Sequence, residues 1–357
     1  MSLGAAAGAG VDAPRGPLLS VNELAVSFAT EDGLLGAVDG VSFEVGAGDV
    51  LAIVGESGSG KSVTAQTIMG LTRSQNARIE GSVQYRGEDL LGADEAELQR
   101  IRGDEIAMIF QDPMTSLNPV YRVGDQIVEA IRAHRDISES EAAERAVELL
   151  RSVGIPNPEQ RARDYPHEFS GGMRQRAMIA MGLSLEPALL IADEPTTALD
   201  VTIQAQILHL LEQINRDRGL AVIIITHDLG VVAEVADRVV VMYAGRVVEE
   251  GTLDEIFYDP QHPYTWGLLG SLTRLDRPRP KRLPQIHGLP PSLLSPPQGC
   301  HFRPRCPHAF SRCEQVPSLE ARIPEAPAHL DRCWLTPDQK RALRVVEGQI
   351  GLEAPAA

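Results

Sequence analysis

The chain has 357 residues, enough for one large domain or two modest ones with a buried core. Hydrophobic residues at 43% and charged residues at 23% are the balance of an ordinary globular protein. A net charge of −16 argues against general nucleic-acid binding, which needs a basic face toward the phosphates.

Residues 1–17 are rich in Ala and Gly. They lack a basic start followed by a long apolar stretch, so a disordered tail is expected there and not a secretory signal. Apolar runs such as 220–225 fall far short of the ~20 residues that span a bilayer, so any membrane role is expected to come through a partner.

Leu24, Val26 and Phe28 alternate, as do Val41, Phe43 and Val45, which predicts two half-buried strands. Residues 50–54 form a short apolar run ending at Gly55, as a fully buried strand does. Gly55-Glu56-Ser57-Gly58-Ser59-Gly60-Lys61-Ser62 then matches G-x-x-x-x-G-K-[ST] in full, with helical character over 62–71. Glycines at this spacing let successive backbone N–H groups turn inward around phosphate oxygens. A helix starting near Lys61 adds its positive dipole end. Lys61 is expected to reach the β- and γ-phosphates of ATP, and the Ser62 hydroxyl to ligate Mg²⁺.

Residues 86–184 are expected to be mostly helical. Ser138 and Glu141 fit a capping box, and Ala146, Leu149, Leu150 and Val153 share one face before Gly154 closes the helix. Apolar runs at 188–192 and 220–225 predict central parallel strands with functional groups at their C-terminal ends. The first ends in Asp193-Glu194. Asp193 is placed to hold Mg²⁺ through water and Glu194 to polarise the attacking water as a general base. Residues 239–243 and 246–248, separated by Ala244-Gly245, read as a hairpin.

Composition shifts near Leu272. A proline-rich stretch at 278–297 and a basic patch at 277–282 mark a boundary, with an extension beyond it. The expected division is therefore a tail at 1–17, a nucleotide-hydrolysing domain at 18–271 and a C-terminal extension at 272–357. All four cysteines, Cys300, Cys306, Cys313 and Cys333, lie in the extension. Four thiolates can hold tetrahedral Zn²⁺ or a [4Fe–4S] cluster. The gaps exceed those of common zinc pairs, which favours the cluster, with Arg303, Arg305, Arg312 and Arg332 offsetting its charge. His301 and His308 keep a mixed zinc site open, and unligated thiols or disulfides are the bland alternatives.

Two further motifs narrow the family. One is Phe169-Ser170-Gly171-Gly172-Met173-Arg174-Gln175-Arg176. The other is Asp193-Glu194-Pro195-Thr196-Thr197-Ala198-Leu199-Asp200 followed by Thr226-His227-Asp228. With the phosphate loop they resemble the ABC-transporter ATPases, over about residues 20–270 and in the family's order. The resemblance implies an α/β fold of the P-loop NTPase type: a mixed sheet core with an inserted helical subdomain at about 112–185. It also implies a head-to-tail dimer around two ATP molecules. Ser170, Gly171 and Gly172 would then contact the γ-phosphate held by the opposite subunit, and Asp200 would communicate across the dimer. His227 would contact the γ-phosphate, Gln111 would sense Mg²⁺ and water, and Phe28 would stack on adenine.

Met173 in the signature, the run FQDPMTSLNP at 110–119, His262-Pro263-Tyr264-Thr265 and the cysteine tail resemble the dipeptide and oligopeptide importer subgroup. That implies a second ATPase subunit, two membrane permeases, an extracytoplasmic binding protein and a place on the cytoplasmic face of the membrane. The same role with nickel, glutathione or another solute is the alternative. A soluble ABC ATPase acting on nucleic acid or ribosomes is disfavoured by a single cassette, by the lack of an inserted coiled coil or zinc module, and by the acidic charge.

Overall fold

The computed structural model describes residues 16–111, 116–197, 199–271 and 286–346. Residues 1–15, the basic patch at 277–282 and the boundary near 272 lie outside the described residues, as do Asp112 and Pro113.

The chain opens with a long antiparallel hairpin, β1 (Leu19–Thr30) and β2 (Gly33–Val45). The buried strand β3 (Val50–Val54) then leads through the loop 55–60 into helix α1 (Lys61–Ile68). Strands β4 (Ala77–Tyr85) and β5 (Glu88–Asp89) complete a four-stranded sheet in the order β2-β1-β4-β5. Helix α2 (Glu95–Ile101) and strand β6 (Ile106–Ile109) follow. The helical layer comprises α3 (Val123–His134), α4 (Glu139–Ser152), α5 (Pro158–Arg161) and α6 (Gly171–Gly182).

The chain returns to the core with β7 (Leu189–Asp193), α7 (Val201–Arg218), β8 (Ala221–Thr226), α8 (Leu229–Val235) and the hairpin β9 (Arg238–Tyr243) and β10 (Arg246–Thr252). Helices α9 (Leu253–Tyr258) and α10 (Pro263–Gly270) close this part. Short strands β11 (Glu320–Ala321) and β12 (Leu330–Asp331) and helix α11 (Pro337–Val346) belong to the C-terminal extension.

The second sheet has eight strands in the order β11-β12-β10-β9-β3-β8-β7-β6. The run from β9 to β6 is parallel and the remainder antiparallel. Two-residue periodicity explains why its central strands read as unbroken apolar runs. Leu190 and Ala192 of β7 face the helical layer with Val222 and Ile224 of β8. Leu189 and Ile191 face the four-stranded sheet with Ile223 and Ile225. Both faces are covered, so every position before the polar C-terminal residues Asp193 and Thr226 is apolar.

Within the stretch 86–184, expected to be mostly helical, the structure adds β5 and β6 to the helices, and β6 pairs with β7 at the sheet edge. Its four apolar residues are too few to display a period. The capping box at α4 is formed by half: Ser138 Oγ accepts from the Glu141 amide at 3.2 Å, and no return bond from Glu141 is among the described ones. The predicted hairpin forms, its turn using Ala244 and Gly245 at φ of +46° and +84°.

The extension adds its strands to the same sheet: β12 pairs with β10 through Glu249–Asp331 and Glu250–Leu330. Glu249 is fully buried, and its carboxylate accepts from the Gln261 and His262 amides and lies 2.8 Å from His329 Nε2. Such a charge is tolerated inside only when every oxygen has a partner. Beside it Lys340 Nζ and Asp331 Oδ1 form a buried ion pair at 2.6 Å. Among the described residues no helix is long and apolar enough to cross a membrane.

Candidate functional site

The loop 55–60 sits at the C-terminal edge of the parallel strands. Gly60 has φ +100°, and a Cβ there would fall 2.5 Å from the Ala37 carbonyl oxygen, so only glycine fits. Lys61 is buried, with its ammonium folded back on the loop: Nζ donates to Gly55 O at 2.7 Å and Glu56 O at 3.0 Å. Burial lowers its pKa, against the opposing charges of Glu194, Asp193 and Glu56. Ser62 Oγ donates to Asp193 Oδ1 at 3.0 Å, which joins the start of α1 to the end of β7. Burial pushes the Asp193 carboxyl up, against the pull of that hydrogen bond.

Glu194, next along, has φ +49° and is tied by its amide to Ile225 O at 2.8 Å. Three side chains converge on its carboxylate. Gln111 Nε2 donates to Oε2 at 3.0 Å, Thr197 Oγ1 donates to Oε2 at 2.9 Å, and His227 Nδ1 lies 3.2 Å from Oε1. Burial works to raise the Glu194 pKa, but the Thr197 and His227 hydrogen bonds, with the charges of His227 and Lys61, hold it below its ordinary value. The fold thus gathers Lys61, Ser62, Gln111, Asp193, Glu194 and His227 from four segments. Ser62 and Asp193 offer the hard oxygen donors that Mg²⁺ takes.

Ser170, Gly171 and Gly172 occupy a different surface. Ser170 caps α6, its Oγ accepting from the Met173 amide at 3.3 Å. Asp200 caps α7 in the same way, accepting from Ile203 at 3.0 Å. A Cβ on Gly172 would lie 2.6 Å from Ile203 Cγ2, so glycine lets the two helix N-termini approach closely. No described hydrogen bond joins these residues to the loop 55–60. Phe28 is half-buried near the end of β1 and packs on the core beneath the four-stranded sheet.

All four cysteines line one pocket, together with Phe302, Arg303, His308 and Trp334. No disulfide joins any of the four. Burial pushes Cys306 and Cys333 up to about 12, with the neighbouring cysteines adding to the shift, and it raises Cys300 as well. Among the described residues no three His, Cys, Asp or Glu side chains converge tightly enough to hold a metal ion. Three of the four arginines expected around this pocket border it: Arg303 lines it and pairs with Glu314, Arg312 stacks on its Trp334 wall, and Arg332, whose Nε donates to Val247 O, lies within electrostatic reach of Cys300. Arg305 reaches Glu56 in the loop 55–60.

Three residues at the site had no nucleotide role on sequence grounds: Thr197, Tyr264 and Arg305. Thr197 stood inside a recognised motif, so its hydroxyl two residues past the Glu-Pro pair was a usable signal. Tyr264 stood in the recognised run 262–265 and Arg305 beside the cysteines, but nothing local ties either to a loop more than 200 residues away in sequence.

The sequence profile described as "ABC transporter" matches residues 38–197, and that described as "Oligopeptide/dipeptide transporter, C-terminal region" matches 248–313. The dipeptide transport ATP-binding protein DppD of Bacillus subtilis is 53% identical over 93% of this chain and 98% of its own. The chain belongs to the ABC transporter ATP-binding family. The oligopeptide transport ATP-binding protein OppD of Salmonella typhimurium is 54% identical over 87% of this chain and 92% of its own. Among solved structures, an ATP-binding cassette dimer in a post-hydrolysis state bound to ADP and Pi aligns with a TM-score of 0.60 at 29% identity. The match covers 66% of this chain and 98% of that one. The α/β cassette with an inserted helical layer is the family's fold, and the chain is an ATPase of this family, for which ATP and Mg²⁺ are the expected substrate and metal.

Proposed function

We propose that this ABC ATPase energises import of dipeptides or oligopeptides through separate membrane permeases. The observation that carries the ATPase half is the Glu194 carboxylate, held deprotonated by Thr197 and His227 beside the Ser62–Asp193 pair. In this reading the amides of Gly55, Ser57, Gly58, Ser59 and Gly60 cradle the phosphates, with Glu56 anchoring the turn. Lys61 exchanges the loop's own carbonyls for the β- and γ-phosphates. Phe28 stacks on adenine. Ser62, Asp193 and Gln111 would hold Mg²⁺, which neutralises charge developing on the phosphates. Glu194 takes the proton of the attacking water, and His227 and Gln111 orient the γ-phosphate and that water.

Ser170, Gly171, Gly172 and Asp200 are read as the face offered to the ATP of a second cassette. Val201, 82% exposed beside Asp200, suits a face that becomes covered. The second ATPase is a different chain, as in the subgroup, or a second copy. Two permeases and an extracytoplasmic binding protein complete the assembly, with this subunit on the cytoplasmic face. The peptide substrate is supported by the DppD and OppD similarity and by the matching C-terminal region.

The four-cysteine pocket is read as the seat of a [4Fe–4S] cluster, held by Cys300, Cys306, Cys313 and Cys333. What supports this reading is that all four thiols line one pocket and that thiolates are the ligands such clusters take. Anaerobically purified protein is expected to be brown, and metal analysis showing zinc alone would sink this assignment.

The transport reading is tested by uptake. Cells carrying Lys61→Ala should lose uptake of labelled di- and oligopeptides while free amino-acid uptake persists. Unchanged peptide uptake with loss of nickel or glutathione uptake would move the function to that solute.

A further inference from the structure

The second residue of the phosphate-binding loop is gripped from the far end of the chain. The Glu56 amide donates to Tyr264 Oη at 2.8 Å. Its carboxylate receives both terminal nitrogens of Arg305, Nη1 to Oε2 at 2.5 Å and Nη2 to Oε1 at 3.0 Å. Arg305 lies in a 3₁₀ turn of the extension, Arg303–Arg305, between Cys300 and Cys306. Its side chain is only 5% exposed, and its remaining donors are used. Nε bonds His287 O at 3.0 Å, Nη2 also reaches Ile286 O at 3.3 Å, and Nη1 also reaches Tyr243 Oη at 3.3 Å. The guanidinium lies over the Tyr243 ring, 5.8 Å from its centroid.

We infer that Arg305 is a positioning residue for the ATPase: through Glu56 it holds the phosphate-binding loop in the shape that receives the nucleotide. The physical case has three parts. A loop with glycines at 55, 58 and 60 is costly to order, and an anchor at its second residue removes part of that cost before ATP arrives. A two-point guanidinium–carboxylate contact fixes direction as well as distance, which a lysine cannot do. The Glu56 carbonyl is also one of the two that hold Lys61, so displacement of Glu56 would move the ammonium that meets the phosphates. The extension is therefore part of the nucleotide site through Glu56, the loop residue that Arg305 holds. The inference rests on reading 55–62 as the phosphate loop.

The test is MANT-ATP titration of the full-length chain with Mg²⁺, alongside steady-state ATPase kinetics. Arg305→Ala should weaken nucleotide binding about tenfold, equivalent to ~1.4 kcal/mol, and raise KM for ATP while kcat at saturation stays within about twofold. Arg305→Lys should fall between wild type and Arg305→Ala. Glu56→Gln should match Arg305→Ala, and the double variant should be no weaker than the weaker single, because both act through one contact. If Arg305→Ala fails to fold, Arg305→Lys and Glu56→Gln carry the same comparison. Wild-type affinity in these folded variants, or losses that simply add, would overturn the inference. Lys61→Ala separates the two layers. Wild-type binding there refutes the phosphate-loop reading itself, whereas its loss together with normal Arg305 variants refutes only the role of Arg305.

Discussion

His227 Nδ1 lies 3.2 Å from Glu194 Oε1, so residues just past two neighbouring strands, β7 and β8, meet over the edge of the sheet. The contact places a titratable ring against a carboxylate that Thr197 and Gln111 also hold. A carboxylate with so many donors is kept charged and aimed, as a general base must be.

Replacing Glu194, the proposed base, is the most direct check. Glu194→Gln keeps the size and loses the charge. It should bind MANT-ATP as wild type does and lower turnover by a factor on the order of 10²–10⁴, with a closed dimer accumulating in size-exclusion runs with ATP. Turnover at the wild-type rate would remove Glu194 from the mechanism.

The acid limb of the rate profile should move when a donor is removed. Thr197 donates to the charged form of Glu194 and so helps hold its pKa down. Thr197→Val removes that support, the Glu194 pKa rises, and the acid limb of kcat shifts to higher pH. A limb that stays in place or moves to lower pH contradicts this.

The buried pair of Lys340 and Asp331 should be costly to break. Lys340→Met leaves a carboxylate uncompensated at a position 1% exposed. Loss of one partner of such a pair costs about 3–5 kcal/mol, whereas a double replacement by apolar residues of similar volume is often near neutral. Denaturant unfolding of Lys340→Met against Lys340→Met/Asp331→Leu measures both.

His329 gives stability a pH dependence of known sign. Burial lowers its pKa, but the Glu249 hydrogen bond and the charges of Glu249, Glu255 and Asp259 outweigh that and raise it above 6.5. The charged form is therefore favoured by folding. Its contribution is complete below the ordinary value and is lost as pH rises through the folded one. Denaturant midpoints taken from about pH 6 to about pH 9 should fall more steeply in wild type than in His329→Gln. Parallel slopes would count against the pairing.

Much of the nucleotide site was legible because its residues are consecutive or sit at strand ends. The loop 55–62, Asp193-Glu194 and His227 each follow an apolar run that marks a buried strand, and the sheet then brings those ends together. That the four cysteines belong together was legible from their nearness in sequence, and all four line one pocket. Strand β6 was not, since Ile106-Ala107-Met108-Ile109 is too short to show a period. The destination of Arg305 was not legible either. From sequence it is one of four arginines near the cysteines, and only the packing of the extension against β9 and α10 turns it toward Glu56.

Strand β12 has a consequence for any shortened form of this protein. It lies on β10, and the Arg332 amide and Nε reach Val248 O and Val247 O at 2.8 Å each. Without the extension, those carbonyls and the strand edge would face outward, and Glu249 would lose His329. A chain cut after residue 271 is thus a sheet with an open seam, apt to recruit a strand from a neighbour. The tail acts as the selvedge that keeps this sheet from knitting to another copy.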